Sequence, residues 1–309
     1  MTREAAGGAL PAEHELRWGD QVAGVRETGA TLRRYAAGGR ELVDGFPRRG
    51  WSQDGRGQLL LPWPNRVRDG RYRFGELEHQ LPLSEPERGN AIHGLTRWLP
   101  WQAGRSESDR LLLTCQVQPQ PGYPFWLELE AEYRLGPGGL RVDIRAVNLG
   151  AVPAPFGAGA HPYLTLGDSP VDDLVLLLPA HSRLKTDPRG IPDGEPVAVD
   201  GSEYDFRSGR AVGSLRLDTA FTGLAGGEGW EATLEDPRAP GRLRLWADAA
   251  FGYVMSYTGD GVGDPARRRR GLALEPMTCA PDAYNNGLGL LTLPPGGSIS
   301  ASWGLIYER

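Results

Sequence analysis

The sequence predicts an all-β, antiparallel protein, a sandwich or a barrel, on three observations. Apolar and polar residues alternate with period two over several stretches, as half-buried strands require. Glycine (44) and proline (26) together reach about twice their usual share. They are spread between short apolar runs, which sets turns at short intervals. No amphipathic helical period extends beyond about ten residues.

Taken in chain order, the first clear strand is WLELEAEYRL, where Leu127, Leu129, Ala131 and Tyr133 alternate with Glu128, Glu130 and Glu132. Leu140, Val142, Ile144 and Ala146 then alternate with Arg141, Asp143 and Arg145. Further on, Trp230, Ala232 and Leu234 alternate with Glu231, Thr233 and Glu235. GRLRLWADA and the terminal SISASWGLIYER repeat the pattern. Irregular segments interrupt it at 44–70, 84–101, 153–170, 186–214 and 259–287, and long connections on a rigid β scaffold are where sites are built. No composition break marks a linker and no internal repeat is present. Residues 1–12 read as a flexible N-terminal tail and 13–309 as a single domain.

Composition narrows the function. The formal charge of −5 disfavours nucleic acid or an anionic membrane as partner. Cys115 and Cys279, far apart and without a CxxC pair, support neither a disulfide framework nor a thiolate metal site. No apolar run is long enough for a signal peptide or a membrane span, so a soluble cytoplasmic protein is the expectation. Phosphate-loop, GxSxG and HExxH motifs are missing. The five histidines never fall within five residues of one another, so no local metal-ligand spacing exists; a metal assembled from distant ligands stays open, and the expectation is none.

Four segments set ionisable side chains among Gly, Pro or Asn in apolar surroundings: LLPWPNRVRDGRYRFG, GNAIHGL, GAGAHPYL and LALEPMTCAPDAYNNGLGL. A residue before proline is driven into extended backbone, so His161 before Pro162 and Glu275 before Pro276 each belong at a strand or its end. Gly157, Ala158, Gly159 and Ala160 leave little bulk around the imidazole, which lets a ligand approach. Glu275 ends an apolar run, where desolvation raises a carboxyl toward useful general-base values. A buried carboxylate needs a donor, either an imidazole or a ligand hydroxyl. By themselves these residues read more readily as a structural ion-pair partner and a satisfied core histidine.

These four segments, with LDTAF between the last two, occur in the same order as in the aldose 1-epimerase (galactose mutarotase) family, and the resemblance covers nearly the whole chain. It implies a large antiparallel β-sandwich of the galactose mutarotase-like kind, often called a supersandwich, that interconverts the α and β anomers of a free aldose without cofactor. Glu275 resembles the base that takes the proton of the C1 hydroxyl, and His161 the acid that protonates the ring oxygen. His93 and Arg66, with Asn65 beside them, resemble residues that hydrogen-bond the sugar, and Asp218 resembles the acidic residue that fixes ring hydroxyls. Tyr163 and Tyr284 adjoin motifs and are candidates to offer a flat face to the sugar. The implied partner is a small-molecule sugar, with the protein a monomer or homodimer. Departures lie at Ala160, where many members carry an aromatic, and at Tyr253, Val254 and Met255, where many carry a glutamine. Both bear on sugar specificity.

The run Arg267–Arg270 reads as a solvated loop and raises one rival, a hexose-6-phosphate 1-epimerase gripping phosphate with arginines. A noncatalytic carbohydrate-binding or sugar-sensing module is the other alternative; it is expected to lack the acid or the base.

Overall fold

The computed structural model describes residues 12–309. The expected tail therefore falls, apart from Ala12, outside the described residues. The chain forms a β-sandwich whose named strands all pair antiparallel. One sheet has nine strands, running in space through Gln102–Ser106, Arg110–Val117, Leu127–Gly136, Gly139–Asn148, Ser298–Glu308, Arg242–Asp248, Gly229–Glu235, Val175–Leu177 and Arg210–Ala211. The second has eight and is built around Asp218–Leu224, Tyr253–Tyr257 and Leu272–Met277. A four-stranded meander spans Glu13–Trp18 to Arg40–Glu41. The single α-helix among the described residues is the turn Ala283–Asn286, and no helix is long and apolar enough to cross a membrane.

The alternating stretches behave as their pattern requires. Along Leu127–Gly136 every second residue is buried, and Leu140, Val142, Ile144 and Ala146 do the same one strand over. Their apolar faces join Phe221, Val254, Leu272 and Leu274 of the eight-stranded sheet in one core.

The eight-stranded sheet carries the site on its other face. Leu272–Met277 is buried at all six positions, so it shows no polar alternation, yet the period of two still operates. Leu272 and Leu274 enter the main core, while Ala273 and Met277 pack in two small clusters on the opposite side. Glu275 lies between these last two and shares their face. On the neighbouring strand Met255 stands opposite Glu275, and Tyr257 opposite Ala273; one strand further, Asp218 stands opposite Tyr257. Asp218, Met255, Tyr257 and Glu275 thus line one surface of three adjacent strands.

Candidate active site

The same register accounts for the position of His161. Gly159 pairs with Met277, and Tyr163 with Ala273, on the far edge of the Glu275 strand. The ladder position between them sets His161 across from Glu275. Directly opposed residues in an antiparallel pair project on the same face, and here both precede prolines. The histidine backbone is held from outside the sheet as well: its N–H donates to Gln58 O at 3.0 Å and its carbonyl accepts from Gly57 N at 2.8 Å. Nε2 of His161 lies 3.3 Å from Oε1 of Glu275, with both side chains about 95% buried or more.

Loops roof this pair. The short strand Arg66–Arg68 pairs with Asn90–Ile92, bringing Asn65 and Arg66 beside His93. The N–H of Asn65 donates to His93 Nδ1 at 3.2 Å, which leaves Nε2 of that imidazole to carry the hydrogen and act as donor. Rings of His93 and His161 meet edge to face at 5.3 Å. Arg66 is clamped by Glu85 through Nε and Nη2, both at 2.9 Å. Its Nη2 also lies 3.9 Å from Asp218, which is half-exposed at the rim. Gly190 has φ +77, and a Cβ there would stand 2.6 Å from Arg66 Nη1; a bare backbone backs the guanidinium.

The cleft beneath these loops is about 380 Å³, within the range of small-molecule sites. It is lined by Glu275, His161, His93, Arg66, Asn65 and Asp218, with Tyr163, Arg88, Arg97, Met255 and Tyr257 also contributing. Seven of the eight candidate residues therefore converge on one cleft, although they come from five separated segments; Tyr284 does not. Tyr163 takes a place other than a sugar platform. It is fully buried, lies nearly parallel beneath His161 at 5.0 Å and 11°, and donates its hydroxyl to Asp54 O at 3.2 Å. Tyr284 is core, its hydroxyl donating to the Pro62 carbonyl and its ring packed on Trp63 and Tyr72.

Glu85, Arg88 and Arg97 belong to the cleft without having been singled out from the sequence. A signal existed for Glu85, which precedes a proline as His161 and Glu275 do. The Arg267–Arg270 run is absent from the cleft lining, and most of its arms are engaged. Arg267 binds Asp44, and Arg269 binds Asp172 and Asp260 at 2.8 and 2.9 Å. Arg268 donates to the Val262 carbonyl at 3.3 Å. A larger hollow of about 900 Å³ borders Arg267 and Arg270 but holds no carboxylate–imidazole pair.

Burial governs the electrostatics. It pushes the Glu275 carboxyl well above the usual carboxylate range; Asp218 reinforces this and Arg66 opposes it. Burial likewise pushes His161 down to about 3, helped by the positive charges of Arg56 and Arg97. His93 is lowered by burial, by His161 and by Arg97 and Arg66. Burial thus disfavours the charged form of each group and biases the Glu275–His161 pair toward a neutral carboxyl beside a neutral imidazole. His93, His161 and Glu275 also present ligand atoms within 4.8 Å of one another, the one such group among the described residues able to hold a divalent cation.

The β-sandwich thus holds a buried carboxyl–imidazole pair in a small polar cleft. The chain belongs to the aldose 1-epimerase family, whose model matches residues 17–305. It is 36% identical over 241 residues to the uncharacterized protein YihR of Escherichia coli K12, covering 78% of this chain and 75% of that one. To the aldose 1-epimerase of the same organism it is 26% identical over 255 residues, 74% and 72% of the two chains. Galactose 1-epimerase from Lactobacillus acidophilus NCFM superposes with a TM-score of 0.80 at 25% identity, covering 94% and 91%. The GalM/aldose epimerase homologue from C. elegans reaches 0.85 at 17% identity, covering 97% and 99%, a likeness of fold.

Proposed function

We propose that the protein is an aldose 1-epimerase acting on a free aldose, and that Glu275 and His161 exchange the protons. The carrying observation is the 3.3 Å approach of Nε2 to Oε1 inside the cleft. Moving the resting proton from carboxyl to imidazole produces the carboxylate and imidazolium that ring opening needs. Glu275 then accepts the proton of the C1 hydroxyl while His161 donates to the ring oxygen, and the bond between C1 and the ring oxygen breaks. What remains is a neutral carboxyl and a neutral imidazole, the arrangement burial favours. Rotation about C1–C2 followed by the reverse transfers closes the ring as the other anomer. Arg66 and the Nε2–H of His93 supply donors to sugar oxygens, and Asp218 accepts from a ring hydroxyl.

Polarimetry on freshly dissolved α-D-galactose and α-D-glucose tests the reading. Equilibration no faster than buffer for every free aldose in a panel would refute it, and would favour a binding module. Glu275→Gln is expected to lower the rate at least 100-fold, in the range of general acid–base contributions, with the fold retained by circular dichroism. Because the mechanism routes every proton through side chains, activity is expected to survive dialysis against a chelator; loss restored by a divalent cation would move the three donors to a metal role. The engaged arms of Arg267–Arg269 favour a free sugar over its 6-phosphate, and a strong preference for glucose 6-phosphate would reverse that.

A further inference from the structure

We propose that Arg56 is a positioning residue for His161 and acts through the ring of Tyr163. A histidine that transfers protons through one ring nitrogen is ordinarily oriented by a hydrogen bond at the other. His161 has no such bond: its Nδ1 is buried without a partner. The ring is instead set by packing. The Tyr163 ring lies nearly parallel to it at 5.0 Å and 11°. The Arg56 guanidinium lies over the same tyrosine, its Cζ 4.0 Å from the centroid. A cation against an aromatic face at this distance is attracted by the ring, so Arg56 fixes Tyr163 and Tyr163 fixes the imidazole plane.

The guanidinium is itself immobile. It is 2% exposed and donates from Nε to the Asp44 carbonyl at 2.9 Å and from Nη2 to the Asp44 carboxylate at 3.1 Å. Asp44 in turn donates its N–H to the Tyr163 carbonyl at 2.8 Å. The carboxylate of Asp44 also takes Arg267 at 2.5 Å, giving that arginine a structural task. The column also has an electrostatic effect, because a fixed cation behind the imidazole favours its neutral form. The other titratable or charged groups facing His161 are Glu275 from its strand, His93 and Arg97 from the roofing loop, and the Tyr163 hydroxyl.

This inference rests on the proposed role of His161 in proton transfer, so its test has one readout independent of turnover. His161 is titrated by NMR in the intact protein as wild type, Arg56→Met, Tyr163→Leu and Tyr163→Phe, and kcat and KM are measured for the aldose the wild type turns over. Arg56→Met is expected to raise the His161 midpoint by roughly one unit, the scale of a nearby cation at an effective dielectric of about 20. It is expected to lower kcat by roughly tenfold or more, as misplacement of a reacting group does, with KM within about twofold. Tyr163→Leu leaves the Arg56–Asp44 pair intact and is expected to show the same kcat loss, so the test stands even where Arg56→Met fails to fold. Tyr163→Phe keeps the ring and is expected to stay near wild type. An unmoved midpoint and an unmoved kcat in a folded Arg56→Met, or a wild-type kcat in Tyr163→Leu, overturns the proposal. A wild type that accelerates no aldose refutes the epimerase reading alone and leaves the titration as the test of the column.

Discussion

Gly55 defines how little room the imidazole has. A Cβ at this position would stand 2.5 Å from His161 Cδ2 and 3.0 Å from Nε2, and the backbone has φ +73. Only glycine adopts that conformation freely and also leaves the Nε2 edge clear. Gly55→Ala is therefore expected to push the ring away from Glu275 and lower kcat by about tenfold or more, while the strained backbone costs about 1 kcal/mol of stability. Anomerisation kinetics beside urea unfolding separate the two effects, and a wild-type kcat would mean that the 3.3 Å approach is not what the reaction uses. The alanine and glycine run before His161 was read from the sequence as access for a ligand. Gly157 and Gly159 in fact pack tightly, since added Cβ atoms would meet Cys279 Sγ at 2.5 Å and Pro64 Cβ at 2.8 Å. The glycine that clears the imidazole lies more than a hundred residues earlier.

At the scale of elements, the cleft is closed by two loops that one arginine joins. Arg189 donates from Nε to Arg88 O at 2.8 Å and from Nη2 to Gly89 O at 2.7 Å, and it pairs with Asp69 at 2.8 Å. Gly190, its neighbour, backs Arg66. Removing these charge-assisted bonds loosens both loops without touching the proton-transfer pair. Arg189→Met is expected to raise KM roughly tenfold, about 1.4 kcal/mol of binding, with a smaller change in kcat; a change in kcat alone would show that the loops do not set affinity. Nothing in the sequence marks Arg189, because its partners, two backbone carbonyls and the side chains of Asn90 and Asp69, lie about a hundred residues away. The strands through Leu129 and Val142 were legible because one face meets core and the other water. Leu272–Met277 was not legible by alternation, because the roofing loops bury its second face. Its proline was the usable sign: it identified Glu275 as extended, but register alone sets His161 opposite, and register depends on pairings the sequence does not display.

For the whole molecule, the buried pair shapes how stability depends on pH. Unfolded, a glutamate and a histidine titrate near 4.3 and 6.5, so between those values the pair holds one proton, on the imidazole. Folded, the shifts move that proton to the carboxyl, because Glu275 is raised and His161 is lowered to about 3, and the pair holds one proton up to the raised Glu275 value. Stability changes with pH only where the two states bind different numbers of protons, so the pair contributes a plateau from about 4.3 to 6.5. Below it the unfolded state gains a second proton that the folded state refuses until about pH 3, and stability falls as pH falls. Above it the unfolded state loses its proton before the raised Glu275 carboxyl loses its own, and stability falls as pH rises until the folded Glu275 also ionises. His161→Asn removes the compensating group. The unfolded chain then loses the Glu275 proton above about 4.3 while the folded chain retains it, so the variant loses stability as pH rises through the window where the wild type does not. The difference between the two proteins is expected to grow by up to about 1.4 kcal/mol per pH unit there. All other ionisable groups are common to both and cancel. Urea unfolding at half-unit intervals from pH 4.5 to 6.5 measures it, and parallel curves would mean that the folded pair does not keep its proton on the carboxyl.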